Sequence, residues 1–325
     1  MAGGSVANRR EYERRVNRVV DHIGEHLDAE LTLAALAREA AFSPFHFHRV
    51  FRAVTGETLF GFVQRLRLER SAGVLLAVPD RSVLEVALDH GFASAATFAR
   101  AFKAHFGMTA SVWRRGGAAR WRERRRQDRK LGKQLRKPGN ARTRRAADTP
   151  SRDLGARPRG ARRQREGAMK IRVQELPSQR VAYMRHVGPY GAGGIPQLWN
   201  RFASWMRARG LDMERTTRLG VSHDDPAITP AEKCRYDACA VVPGDFQADR
   251  SVNVAEIAGG RFAIAEFTGT AHEIESAWDQ IFCTWLPQSG LQPDDRPCLE
   301  VYRGRSADEK TGIFRCELCL PVKTL

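Results

Sequence analysis

"EAAFSPFHFHRVFRAVTG", residues Glu39 to Gly56, and "DHGFASAATFARAFKAHFG", residues Asp89 to Gly107, are two copies of one pattern. Phe47, Arg49, Phe51 and Gly56 return as Phe98, Arg100, Phe102 and Gly107 at an offset of 51 residues, with one residue inserted after the turn. Each copy follows a short amphipathic stretch, "LTLAALARE" or "SVLEVALD", and a tight turn carrying Ala41 or Gly91. Short helix, tight turn and longer helix is a layout in which the second helix can enter a DNA major groove.

Helical angle divides the residues of the first copy into two sets. Phe47, Val50, Phe51 and Val54 stand at i, i+3, i+4 and i+7 and are expected in the core. Phe45, His48 and Arg49 share another face and are expected in solvent. His46 and His48 are two apart, about 200° around a helix, so they cannot ligate one metal together. A face carrying a ring, an imidazole and a guanidinium offers apolar contact to thymine methyls and donors to guanine or phosphate. For one copy alone, an ordinary solvated face is an equal reading; recurrence at matching positions favours recognition.

Outward from this pair, residues 8–114 read as an all-α domain of about seven helices. Val16, Val19, Val20, Ile23 and Leu27 recur at helical spacing, as do Leu59, Phe62, Val63 and Leu66 in the stretch that joins the two copies. Thr32, Ser43 and Ser82 are placed as N-caps, and Gly56, Gly91 and Gly107 as helix ends.

The net charge of +17 is unevenly distributed: +2 over residues 1–112, +16 over 113–168 and −1 over 169–325. Residues 115–168 begin with "RWRERRRQDRKLGKQLRK", a stretch compatible with a basic helix. They continue in a run of Pro, Gly, Arg and small residues that buries too little apolar surface to order itself. This segment is expected to be an Arg-rich, largely disordered linker, either a solvated tether or an arm adding nonspecific phosphate contacts. No apolar run approaches the roughly 20 residues of a membrane span, and "MAGGSVANRR" lacks the apolar centre of a signal peptide; a cytoplasmic, nucleoid-associated protein without membrane contact is expected. All six cysteines lie after residue 230, without the dense framework of a small secreted domain. Cys316 and Cys319 form a CxxC, but within an alternating strand their side chains face opposite sides, which argues against metal or redox chemistry.

From residue 169 to 325 the pattern becomes strand, strand, helix, strand, strand, twice over, an α+β domain. An offset of 80 residues places "RLGVS", Arg218 to Ser222, on "CLEVY", Cys298 to Tyr302. Two such units can join their sheets, carry both helices on one face and leave a groove between the halves as the natural pocket. In "CLEVY", Glu300 and Tyr302 share one face while Leu299 and Val301 share the other; Gly220 is the repeat equivalent of Glu300. No Ser/His/Asp arrangement, phosphate loop or metal ligand set is visible, so no catalytic residue, metal or cofactor is expected.

Residues 8–114 resemble the tandem helix-turn-helix DNA-binding domain of AraC-type transcriptional regulators. The likeness is carried by "LTLAALAREAAFSPFHFHRVFRAVTG", "FGFVQRLRLERSAGVLL" and "SVLEVALDHGFASAATFARAFKAHFGMTASVWR". It implies two recognition helices entering successive major-groove segments of promoter DNA. By position, Phe45, His48 and Arg49 would read the first segment and Ala95, Ala96, Thr97 and Arg100 the second. Ala95 and Ala96 depart from the longer polar side chains usual in the family, which weakens readout by the second helix. Ala110 replaces a proline that usually opens the last helix.

Residues 169–325 resemble the GyrI-like small-molecule-binding domain through "VGPY", "TPAEKCRYDACAVVPG", "IAGGRFAIAEFTG", "WDQIFCTWLPQSG" and "PCLEVY". The resemblance implies a cleft for cationic or aromatic amphiphiles, with Glu300 as counter-ion and Tyr302, Tyr190, Trp199 and Trp278 as candidate rings around it. The implied function is that of a one-component regulator, binding as a monomer or weak dimer and possessing a route to RNA polymerase. Hydrolysis of reactive small molecules with Glu300 as base, or sequestration of a drug, are the alternatives.

Overall fold

Side-chain caps set the helix boundaries of the N-terminal domain. In this computed structural model, which describes residues 2–135, 169–190, 193–294, 296–308 and 311–324, seven helices lie in the region where about seven were expected. They are α1 (Ala2–Glu25), α2 (Leu33–Glu39), α3 (Pro44–Thr55), α4 (Leu59–Ala77), α5 (Val83–Asp89), α6 (Ala95–Phe106) and a short α7 (Ala110–Val112). The Thr32 hydroxyl accepts from the Ala35 amide at 3.2 Å, Ser43 caps α3, and Ser82 with Glu85 forms a capping box. Gly56 and Gly107 end the two longer helices of the repeat in matching left-handed conformations.

The central helix α4 supplies one face to each of two cores. Phe62 and Leu66 pack with Val16, Val19 and Ile23 of α1 and with Phe47 and Phe51 of α3. Leu68, Ala72 and Leu75 pack instead with Phe98, Phe102 and Phe106 of α6. Phe47, Phe51, Phe98 and Phe102 are all 0% exposed, so the helical angle read from the sequence is the one realised. The arginines of α4 tie the copies together: Arg67 donates to the carbonyls of Leu27 at 2.8 Å, Ala29 at 3.0 Å and Gly91 at 2.7 Å.

The two tight turns differ in what they tolerate. Ala41 has φ 53 and keeps its methyl, whereas Gly91 has φ 73 with the Leu27 carbonyl oxygen 2.5 Å from where a Cβ would stand. Gly91→Ala is therefore expected to cost about 1–3 kcal/mol, through backbone strain and a forced shift of Leu27 and Arg67. Thermal unfolding would show this as a lowered Tm; an unchanged Tm would mean that the turn relaxes freely.

The helical domain runs further than the expected boundary at residue 114. After a wide turn at Trp113–Gly117 the chain continues as α8 (Ala118–Leu135). Trp121 on α8 meets Trp113 and Phe106, each with ring centroids 5.4 Å apart. The basic helix thus starts as part of the bundle, because two tryptophans eight residues apart find the same core. Residues 136–168, the rest of the expected linker, lie outside the described residues.

The C-terminal domain is one antiparallel sheet with two helical segments on one side. Its elements are β1 (Ile171–Leu176), β2 (Gln179–Val187), α9 (Gly194–Ala208), β3 (Arg218–Ser222) and β4 (Arg235–Val241). The second half follows as β5 (Asn253–Ile257), β6 (Gly260–Gly269), α10 (Ile274–Asp279), β7 (Leu291–Pro293), β8 (Cys298–Tyr302) and β9 (Phe314–Thr324). The strand order β1-β6-β9-β8-β3-β4-β2-β5 places the halves around a pseudo-twofold axis between β8 and β3. Each half lends its first strand to the other, β1 to β6 and β5 to β2. The short β7, which the repeat did not predict, pairs with β9. Helix α9 packs on Ala182, Tyr236 and Ala238, and α10 on Ala263, Ala265 and Leu318. Leu219, Val221, Leu299 and Val301 form a separate apolar layer on the opposite face. Cys316 and Cys319 fall on opposite faces, as the alternation requires, and all six cysteines are free.

The two domains meet through charged contacts and one apolar insertion. Asp21 of α1 accepts from Tyr183 and pairs with Arg185 at 2.7 Å on the sheet face opposite the helices. Ile228, from the β3–β4 connection, is 2% exposed within the core that holds Phe106 and Trp113. Among the described residues no helix is long and apolar enough to cross a membrane.

Candidate functional site

The exposed face of α3 is held by the helix's own buried side. Phe47 and Phe51 anchor the helix, which leaves His48 and Arg49 exposed on the opposite face. Ser43 fixes the N-terminal turn, accepting from the His46 amide at 3.4 Å and bonding its ring Nδ1 at 2.9 Å. His46 is thereby part of the cap. Phe45 lies in α3 and its side chain falls outside the described residues. On α6 the matching positions Ala95, Ala96, Thr97 and Arg100 are likewise exposed. Ser94 caps α6 by accepting from the Thr97 amide at 3.2 Å, and its hydroxyl also bonds that of Thr97 at 3.0 Å. Neither helix can rotate about its axis without exposing phenylalanines, so the two faces stay in register on α4.

The second site lies where the pseudo-twofold axis crosses the sheet. Gly220 and Glu300, equivalent in the repeat, are direct cross-strand partners. A Cβ at position 220 would stand 2.0 Å from the Tyr236 hydroxyl and 2.6 Å from Glu300 Oε2. The glycine thus leaves the space in which these groups meet. Tyr236 donates to Glu300 Oε2 at 2.6 Å and Tyr302 donates to the same oxygen at 2.7 Å. Trp199 of α9 donates its indole N–H to the Tyr236 hydroxyl at 3.3 Å and sets its ring edge-on to Tyr302 at 5.3 Å. Tyr190 stands edge-on to Tyr236 at 6.2 Å and donates to the Arg235 carbonyl at 2.6 Å.

Burial is the largest influence on this carboxyl. Glu300 is 8% exposed, and desolvation pushes its pKa up against the opposing pull of the two phenol donors. Burial likewise holds Tyr236 and Tyr302 well above the usual phenol range, so both remain donors.

Four of the five ring and carboxyl positions expected here come together: Glu300, Tyr302, Trp199 and Tyr190. Trp278 does not join them in this arrangement; it sits on α10 beside Phe282, ring centroids 6.1 Å apart, in the core under that helix. Tyr236, which completes the site, was missed by the sequence reading. Its signal was strand alternation in "CRYDACAVV", which puts Tyr236, Ala238 and Ala240 on the face of Gly220. A cleft of about 480 Å³ beside the start of α9, lined by His186, Gln197, Asn200 and Arg201, contains none of these rings.

Two family models match the chain: a helix-turn-helix domain over residues 36–116 and a GyrI-like small molecule binding domain over residues 169–323. YosT, an SPbeta prophage-derived candidate transcriptional regulator of Bacillus subtilis, is 32% identical over 155 residues, covering 48% of this chain and all of that protein. The chain belongs to the GyrI-like family, and carries a helix-turn-helix domain ahead of that domain. The DNA gyrase inhibitor of Escherichia fergusonii is 29% identical over 157 residues, 47% of this chain and 98% of that protein. The right origin-binding protein of Escherichia coli is 40% identical over 90 residues, 28% of this chain and 31% of that protein. The regulator's two halves therefore match two different sets of relatives, one at each site. It is a DNA-binding transcriptional regulator with a small-molecule-binding domain.

Proposed function

We propose that the regulator responds to a cationic or aromatic amphiphile bound over Glu300, and reads promoter DNA chiefly through α3. The observation that carries the effector class is the single carboxyl, closed in by Tyr236, Tyr302 and Trp199, with two phenol donors on one oxygen. A lipophilic cation supplies both what the carboxylate and what the ring faces attract. Phe45, His48 and Arg49 read one groove segment in this account, and Ala95, Ala96, Thr97 and Arg100 the next. The alanines leave α6 little to offer base edges, so it mainly positions the chain on the duplex. Because two reading helices stand on one chain, a monomer spans both segments, and contact with RNA polymerase follows from binding beside a promoter.

A footprint on promoter DNA with and without tetraphenylphosphonium, a lipophilic cation, tests the whole reading. Protection that changes with the cation supports it, and protection that never rises above random DNA removes it. Glu300→Gln is expected to weaken tetraphenylphosphonium binding about tenfold, the equivalent of about 1.4 kcal/mol. Calorimetry giving the same affinity for both chains would take Glu300 out of the site.

A further inference from the structure

Residues 223–234, which join β3 to β4, touch both the ring cluster around Glu300 and the DNA-binding domain. At the inner end Asp224 accepts from the Arg235 amide and side chain at 2.8 Å, and its own amide donates to the Tyr190 hydroxyl at 3.3 Å. Arg235 directly precedes Tyr236, the phenol on Glu300. At the outer end four polar contacts reach the helices. Thr229 donates to Glu69 of α4 at 2.9 Å, Lys233 pairs with Glu57 just before α4 at 2.6 Å, the Ile228 carbonyl accepts from Arg125 of α8 at 2.8 Å, and Asp225 pairs with Arg122 of α8 at 3.7 Å. The Ile228 side chain fills the core beneath α6.

We infer that this segment is the coupling element of the regulator, docked on α4 and α8 while the tyrosines hold Glu300 and released when an occupant displaces them. Three features support this assignment. The segment is short and cross-braced, so a displacement of Tyr236 reaches Asp224 through Arg235 and Tyr190 without passing through a flexible stretch. Its feet stand on both halves of the bundle, Lys233 beside the end of α3 and Ile228 beneath α6, so its release alters how the two reading helices sit relative to each other. The docking is also asymmetric: Glu69 Oε2 takes Arg65 and Thr229, while Oε1 is buried with no hydrogen-bond partner among the described residues. A contact of that kind is held by a small margin, which suits a two-state element.

The inference rests on the reading of Glu300 as the effector's contact for the identity of the trigger, and its test needs neither effector nor operator. Gly220→Ala places a methyl where Tyr236 meets Glu300 and so forces the two groups apart. Amide hydrogen exchange on the full chain is then compared with the parent. Exchange over residues 224–233 is expected to rise about tenfold, with a matching rise at the start of α4 and in α8 around Trp121 to Arg125. In a Thr229→Val, Lys233→Met background, where both feet on α4 are already removed, Gly220→Ala is expected to add nothing at the start of α4, while α8, still held through Arg125, continues to respond. A rise confined to β3, β4 and β8, or an equal rise at the start of α4 in both backgrounds, overturns the inference. Should Gly220→Ala fail to fold, Tyr236→Phe breaks the same bond without added bulk and carries the same expectation. A chain that passes this test yet binds no amphiphile sinks the pocket reading alone.

Discussion

Asp237→Ala is expected to destabilise the chain by about 3–5 kcal/mol, the usual cost of leaving one member of a buried pair alone. Asp237 accepts from Arg185 Nε at 2.7 Å and Nη2 at 2.6 Å, and bonds His223 Nε2 at 2.7 Å. The Arg185 side chain is 2% exposed, and its remaining acidic neighbour is Asp21 of the other domain. Truncation therefore removes two charge-assisted bonds and strands a guanidinium that has little route to water. The pH dependence has a definite sign. Burial raises the Asp237 carboxyl, but the charges of Arg185 and His223 outweigh it and hold it well below the ordinary carboxylate range. A carboxyl depressed in the folded state contributes stability above its unfolded pKa, about 3.9, and loses it as pH falls further. Denaturant midpoints at neutral and acidic pH should converge for parent and variant as the pH drops below about 4. A neutral-pH loss below about 1 kcal/mol would mean that Asp21 alone satisfies Arg185.

Arg49→Ala is expected to lower affinity for the cognate duplex about ten- to hundredfold, the worth of one well-placed side chain on a base edge. Arg49 stands on the exposed face of α3, and the neighbouring Val50 and Phe51 fix the helix that carries it. The loss should fall mainly on the cognate sequence, since a base contact discriminates while a phosphate contact does not. An equal loss on random-sequence DNA, with the salt slope reduced by about one, would place Arg49 on the backbone. Arg100→Ala on α6 offers the internal comparison, and its smaller effect would reflect the alanines that surround it.

The helical repeat was legible because its determinants are local. A face of Phe47, Val50, Phe51 and Val54 declares itself within eight residues, and caps such as Ser43 and Ser82 lie next to what they terminate. The β repeat was legible for the same reason, and the 80-residue offset already paired Gly220 with Glu300, which turned out to face each other across the axis. Long-range packing was not legible. Nothing local marks Ile228 for a core formed by α4, α6 and α8, and Thr229 reaches Glu69 across 160 residues of sequence. Arg65 and Glu69 of α4 are charged, and nothing local marks them for burial, yet each is 6% exposed, with Glu69 accepting from Thr229 of the second domain. The expected linker boundary failed on Trp121, one aromatic within a run of arginines that is enough to keep the start of α8 on the bundle. Trp278 shares helical spacing with Ile281 and Trp285, and all three pack on the core under α10 rather than at Glu300.

Selection of bound duplexes from a random DNA pool reports on both recognition helices at once. One enriched site is expected, spanning two successive major-groove segments, with strong base preference in the segment read by α3 and weak preference in the segment under α6. Enrichment with the preference reversed, or a pool left random after selection by the folded chain, would contradict it.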